Sequence, residues 1–432
     1  MMLNTQKTVS RFLQFSLVAT ALALAGCNND TGSSKLPGSA HDHDHGSESI
    51  SVKKIGTPLR VSQVAGHHDV QQLAAFASGN KKLYLVTPEK NLYVDFDWSN
   101  GSDATRSQHS FDGHGEHFLV LDTDGKLHIL ETAEDSANWS YKGGVQVVSA
   151  ASITAGAKLT VSAAEDKAFI TDPDPAHAAG SSKIQVVDLE AGSLLTVIDL
   201  AFSLSNAGIA WTGEAAEHEH GAAPAAAIHP GRLIVASSDA RAHVYDLDSA
   251  SFLGDFALDH APSAIYASPG NRYAVIAQRP ATAAHQVQFV DSGLSASGEN
   301  APALLGYKLL GTTPAHYRSV DGLAALFFDG GSGPRFSLFS DASLAGGAVL
   351  ASENSLAAHH GIAEPRGDVV LASKADRSGV LVYHRHDDHF HEEGTVAEEC
   401  QGLHGGGSNA SWSGFGCNDG ILVVGLAEEH EH

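Results

Sequence analysis

Methionine occurs only at Met1 and Met2 of the 432 residues, and cysteine only at Cys27, Cys400 and Cys417. So little soft sulfur leaves Cu(I) poorly served. Positive charge is also scarce. Against 50 Asp and Glu stand 26 Lys and Arg, for a formal net charge of −24. That balance excludes a nucleic-acid binder, whose phosphate contacts need Lys and Arg, and it suits cations. No long segment carries a 3.6-residue apolar period, so long amphipathic helices are excluded. Neither Gly-x-Ser-x-Gly nor His-Glu-x-x-His occurs, which removes two hydrolase signatures. What the chain has instead is histidine: 26 residues, as many as Lys and Arg together.

The N-terminus reads as a targeting segment. Lys7 and Arg11 precede an apolar stretch, Phe12 to Leu24, too short and badly flanked for a spanning helix. It ends Leu24-Ala25-Gly26-Cys27, which resembles a bacterial lipobox. Cleavage before Cys27 leaves residues 1–26 as signal peptide and Cys27 as the acylated residue, a membrane anchor. Asn28 after the cysteine favours the outer membrane, facing the periplasm. Plain secretion is the alternative. Export implies an oxidising compartment. There Cys400 and Cys417 either pair, closing a loop worth roughly 3 kcal/mol in the chain-entropy model, or serve as thiolate ligands. Gly405-Gly406-Gly407 between them suits a stapled loop.

Residues 27–57 are Asn, Gly, Ser, Lys and His rich with no periodicity, the composition of a disordered tether. Within it, His41-Asp42-His43-Asp44-His45 alternates imidazole with carboxylate, a set for a borderline divalent metal or an inert polar linker. Twelve residues after it, 46–57, would span roughly 17–20 Å as a coil.

From residue 58 to 432, short strands dominate. Apolar runs begin near Leu83, Phe118, Ala168, Leu233, Ala274, Ala324, Val369 and Ile421. Most are followed by a polar turn and a second strand. Recurrence at about forty to fifty residues is propeller spacing. The expectation is an all-β protein, a β-propeller of seven blades. A His/Glu-rich insertion near 203–227 accounts for one long step. The eighth run, at Ile421, either pairs with N-terminal strands to close the ring or marks a missing blade.

The histidines fall into two classes. One is clustered, acidic and assigned to turns: His41/His43/His45, His218/His220, His384/His386/His389/His391 and His430/His432. These are weak, exchangeable ion sites or a solvated charged surface. The other class stands singly or in pairs beside Gly, Pro or Ala, just before a strand: His114 and His117, His229, His260, His316, His359 and His360, His404. In a propeller such loops lead into innermost strands, so they converge on the central channel without being adjacent in sequence. They form a tight site or a channel lined by water-bonded imidazoles. His with Asp and Glu suits Zn²⁺ first, other divalent metals preferring nitrogen and oxygen second. Binding needs neutral imidazole, so it should fail as pH falls through about 6.5.

Asp259-His260-Ala261-Pro262, Ile265 to Arg272, Pro314-Ala315-His316-Tyr317, Leu326-Phe327-Phe328-Asp329-Gly330, Ala358 to Ala363, and Cys400-Gln401-Gly402-Leu403-His404-Gly405 with Phe415 to Gly420 carry a resemblance. The region from about Leu258 to Val424 looks like the periplasmic zinc metallochaperones of the AztD type. Those are β-propellers that deliver zinc to the solute-binding protein of an ABC importer. The resemblance implies that His316, His360 and His404 are the channel imidazoles and that His41 to His45 is a mobile capture arm. Competing readings are a metal-dependent propeller enzyme, with Glu116, Glu364 or Asp321 as base, and a passive zinc-buffering surface lipoprotein.

Overall fold

Middle strands with no polar face need cover on both sides, and the fold supplies it. The computed structural model describes residues 50–57, 60–67, 71–90, 92–97, 108–112, 115–132, 138–162, 167–178, 180–204, 207–213, 231–295, 298–330, 333–354 and 356–426. These all belong to one unit, Glu48–His432. They build a β-propeller of eight blades, each a four-stranded antiparallel sheet. In blade 1 the strands run Gln63–Gly66, Leu73–Ala77, Lys82–Thr87 and Leu92–Asp97 from the axis outward. Innermost strands of neighbouring blades touch around the axis.

The second strand of a blade shows the packing logic. Leu73-Ala74-Ala75-Phe76-Ala77 is buried at every position, because its two faces press on the blades before and after it. Eight clusters of buried side chains lie among the described residues, one between each pair of successive blades. Outermost strands are largely exposed instead, as in Ser193–Leu200, where only Ile198 and Leu200 are buried.

Blade 8 differs in chain order. Gly406–Ser408, Trp412–Cys417 and Gly420–Leu426 come from the C-terminal part, and the outermost strand is Ile50–Gly56. Every residue of Ile50–Gly56 pairs with Gly420–Leu426. The ring therefore closes by N-terminal pairing, the first of the two expected outcomes. Gly420 makes the contact possible: its φ is +152°, and a Cβ there would sit 2.2 Å from the Ile55 carbonyl oxygen.

Three expectations are corrected. The blades number eight, not seven, because the strand that completes the last one lay inside the stretch read as tether. The tether of 27–57 is too long for the same reason: Ile50–Gly56 carries Ile55 into a buried cluster with Ile421 and Val423. The twelve-residue coil is thus not available as reach. Moreover Ile50 faces Leu426, at the end of blade 8 away from His404, whose backbone bonds Gly416 near the Gly420–Gly56 end. Third, the insertion of 203–227 begins later. Gly208–Gly213 is the innermost strand of blade 4, with Ile209 and Trp211 buried. Cys27, His41, His43, His45, His114, His218, His220, His229, His430 and His432 lie outside the described residues.

Candidate metal centre

Blades 6, 7 and 8 each place one imidazole at the start of the innermost strand. His316 lies in Pro314–Val320, at a register shift between Pro314 and Tyr317. His360 precedes Ala363–Arg366, and His404 precedes Gly406–Ser408. One nitrogen from each ring falls within 4.8 Å of the other two. Residues 44 apart, His316 and His360, bring their Nε2 atoms to 2.9 Å. Ring centroids of His404 lie 5.8 Å from His316 and 5.7 Å from His360. His360 is exposed, and the other two are half-buried. Gly361 is required here, since a Cβ would come within 2.4 Å of the Phe327 ring and 2.5 Å of His359 Nε2.

The protonation states suit a cation. Burial lowers the His316 pKa to about 3, helped by the Arg318 charge and by His360 and His404. Burial also lowers His404, with Arg60 and His360 adding to it. Both rings are therefore neutral at neutral pH. His404 Nδ1 is buried and outside strict hydrogen-bond geometry, with the Ser62 backbone bonding the ring and opposing the downward shift. His360 Nδ1 donates to Asp329 Oδ2 at 2.6 Å. A carboxylate behind an imidazole fixes the tautomer and turns the other nitrogen, Nε2, into the donor atom. Asp329 comes from the turn after the second strand of blade 6, and its role had no sequence signal beyond its place in Phe328-Asp329-Gly330. Two neutral imidazoles, His316 and His404, with the carboxylate-backed His360 form a candidate donor set for one divalent cation, and a tetrahedral ion would keep one further position.

One layer along the same three strands lie Arg318, Glu364 and Ser408. Glu364 Oε2 accepts from Ser408 Oγ at 2.9 Å. Arg318 Nε stands 3.1 Å from Glu364 Oε1. Burial outweighs the Arg318 charge and the bonds from Ser408 and Arg318, and the Glu364 pKa rises to about 7.

The other expected residues are placed elsewhere. His359 turns from the cluster and bonds Ala357 and Ser373. His117 is buried in blade 2 against Asp112, Nδ1 to Oδ2 2.8 Å. Burial disfavours its charge, but the Asp112 hydrogen bond and charge outweigh that, so its pKa is raised. The pair closes a loop inside the blade. His260 is not among the converging rings. Cys400 and Cys417 form a disulfide, S–S 2.02 Å, and are not ligands. Of the candidate bases, Glu364 is held by Arg318 and Ser408. Asp321 sits at the turn that ends Pro314–Val320, the end away from His316.

No protein-family model and no curated protein matches the chain. Solved propellers do. Sqt1 of Saccharomyces cerevisiae aligns with a TM-score of 0.54 at 12% identity, over 88% of this chain and 99% of that one. The Dos1 propeller aligns with a TM-score of 0.52 at 13% identity, over 87% and 93%. Apo AztD from Citrobacter koseri aligns with a TM-score of 0.38 at 22% identity, over 46% of this chain and 55% of its own. Likeness to the first two, over most of both chains, shows the β-propeller fold.

Proposed function

We propose that the chain is an exported zinc-binding protein. It captures Zn²⁺ at His316, His360 and His404 and passes it to the solute-binding protein of an ABC importer. The observation that carries this reading is the convergence of three imidazole nitrogens within 4.8 Å from three separate blades. The carboxylate of Asp329 behind His360, the arrangement usual behind a metal-ligating imidazole, favours this reading over a channel lined by water-bonded histidines. The zinc assignment follows from the donor set: nitrogen ligands, no sulfur, one open position. The hand-off follows from exposure. His360 is open to solvent, so an acceptor ligand can enter the fourth position before any imidazole leaves. The acceptor's identity and the lipid anchor at Cys27 rest on the resemblance and on the lipobox.

The test is a competitive zinc titration of the full chain against a chelator of graded strength, followed by transfer to a zinc solute-binding protein. One tight equivalent, lost in His316→Ala and in His404→Ala, is expected. Asp329→Asn keeps the ligands but should weaken binding by about 10–100-fold, the usual cost of losing such a partner. Weak sites alone, untouched by these substitutions, would return the protein to a passive buffer.

A further inference from the structure

The outermost hairpin of blade 7 carries a second constellation. Strands Val380–His386 and His389–Thr395 are joined by Asp387-Asp388, with Asp387 in the left-handed region at φ 53°. The sequence reading placed His384, His386, His389 and His391 in a turn; the structure places all four on strands. In register, His384 faces His391 and His386 faces His389. The two-residue period sends all four imidazoles to one face of the hairpin. Arg385 and Phe390, which pair with each other, take the other face.

That orientation is held from behind. Phe390 packs edge-on against Phe336, centroids 4.9 Å apart, in the cluster between blades 6 and 7. Arg385 pairs with Asp368. A register slip of one residue would expose Phe390 and bury imidazoles, so the histidine face is specified by the core.

We propose that this face is a divalent-cation site, built by His384, His386, His389 and His391 and separate from the channel cluster. Tetrahedral ligation by nitrogen at about 2.0–2.1 Å sets ligand nitrogens about 3.3 Å apart. His384 Nδ1 and His386 Nε2 lie 3.4 Å apart, and His389 Nε2 and His391 Nε2 lie 3.1 Å apart. His386 links the two strands, its ring centroid 4.9 Å from both His384 and His391. As they stand, no three of the four rings bring ligand nitrogens within 4.8 Å of one another; the exposed His389 and His391 reach the part-buried His384 and His386 by side-chain rotation, because directly opposed Cβ atoms in such a hairpin are only about 4.5–5.5 Å apart. Asp388 Oδ1 lies 3.3 Å from His389 Nδ1, which leaves Nε2 toward the ion. Asp387, Glu392 and Glu393 add negative charge around the hairpin. His389 and His391 are exposed, so the site loads and unloads directly from solvent. Its ions are those that favour imidazole: Zn²⁺, Ni²⁺ or Cu²⁺.

The experiment titrates Zn²⁺ and Ni²⁺ into the full chain and into His386→Asn/His391→Asn. Both are compared again in a His316→Ala/His404→Ala background. The hairpin variant should bind one equivalent fewer in both backgrounds. In the unaltered chain, saturating zinc should slow diethylpyrocarbonate modification of the peptide containing residues 384–391, read by mass spectrometry. Equal stoichiometry of variant and parent, or no protection of that peptide at zinc saturation, overturns the proposal. The loss measured in the channel-deficient background is independent of the reading given to His316, His360 and His404, so the two fail separately.

Discussion

Two imidazole nitrogens 2.9 Å apart, His316 Nε2 and His360 Nε2, cannot both carry protons. Burial chiefly lowers the His316 pKa from 6.5 to about 3. The sign follows directly. A histidine depressed in the folded state is neutral there while its unfolded counterpart takes up protons, so its contribution to stability is present above pH 6.5 and is lost as pH falls toward 3. For the metal the same shift works the other way from the sequence-based expectation. At the proposed site protons would compete with zinc at His316 only well below 6.5, so affinity should survive to pH 5.5 rather than collapse near 6.5. Zinc competition at pH 7.5 and 5.5 checks this, and a steep loss centred on 6.5 would mean that other groups control the site. The triad itself was legible from histidines preceding strands, together with the family resemblance. Asp329 was not, because nothing in a chain places a residue 31 positions before His360 behind its ring until blades 6 and 7 stand side by side.

At the scale of elements, the innermost strands of blades 6, 7 and 8 carry two layers: imidazoles first, then Arg318, Glu364 and Ser408. Glu364, raised to about 7 mainly by burial, is ionised above neutrality, where its charge offsets Arg318. Arg318 in turn lowers His316. Glu364→Gln therefore leaves an uncompensated cation near the site. Zinc affinity at pH 8 should fall on the order of tenfold, with little change at pH 6, where Glu364 is already protonated. Equal losses at both pH values would indicate a merely structural effect. The same logic applies to the loop of His404. The Cys400–Cys417 disulfide staples it to the second strand of blade 8, and both cysteines are fully buried. Replacing both with Ala should cost roughly 3 kcal/mol in the chain-entropy model and weaken zinc binding through His404, as a denaturant melt and a zinc titration on one sample would show. The middle strands were legible because continuous apolar runs have one meaning in a stacked sheet. The hairpin of His384 to His391 was misread, since an acidic, histidine-rich run has the composition of a turn. Only the alternation with Arg385 and Phe390 betrays a strand.

For the whole molecule, eight apolar runs meant eight blades, and the count of seven failed at the joint of the ring. The closing strand, Ile50-Ser51-Val52-Lys53-Lys54-Ile55-Gly56, pairs along one edge with Gly420–Leu426, and of its residues only Ile55 is fully buried, while Ile50 and Val52 pack against the cluster between blades 7 and 8. Its polar residues hid it within a polar leader. Its role is nevertheless global. Ile55 belongs to the cluster with Ile421, Val423, Val61 and Tyr84 that joins blade 8 to blade 1. Without it, Gly420–Leu426 becomes an unpaired apolar edge, an aggregation template. Because His404 belongs to blade 8 while His316 and His360 belong to blades 6 and 7, the convergence of the three imidazoles, and with it the proposed metal site, also depends on that closure. A chain deleted through residue 56 should melt at lower temperature than one deleted through residue 49, aggregate on storage, and bind zinc more weakly at the channel. Scanning calorimetry and zinc competition on the two truncations give the comparison. Identical melting and affinity would show that three strands suffice to hold blade 8 and that His404 is positioned by its disulfide-bonded loop alone.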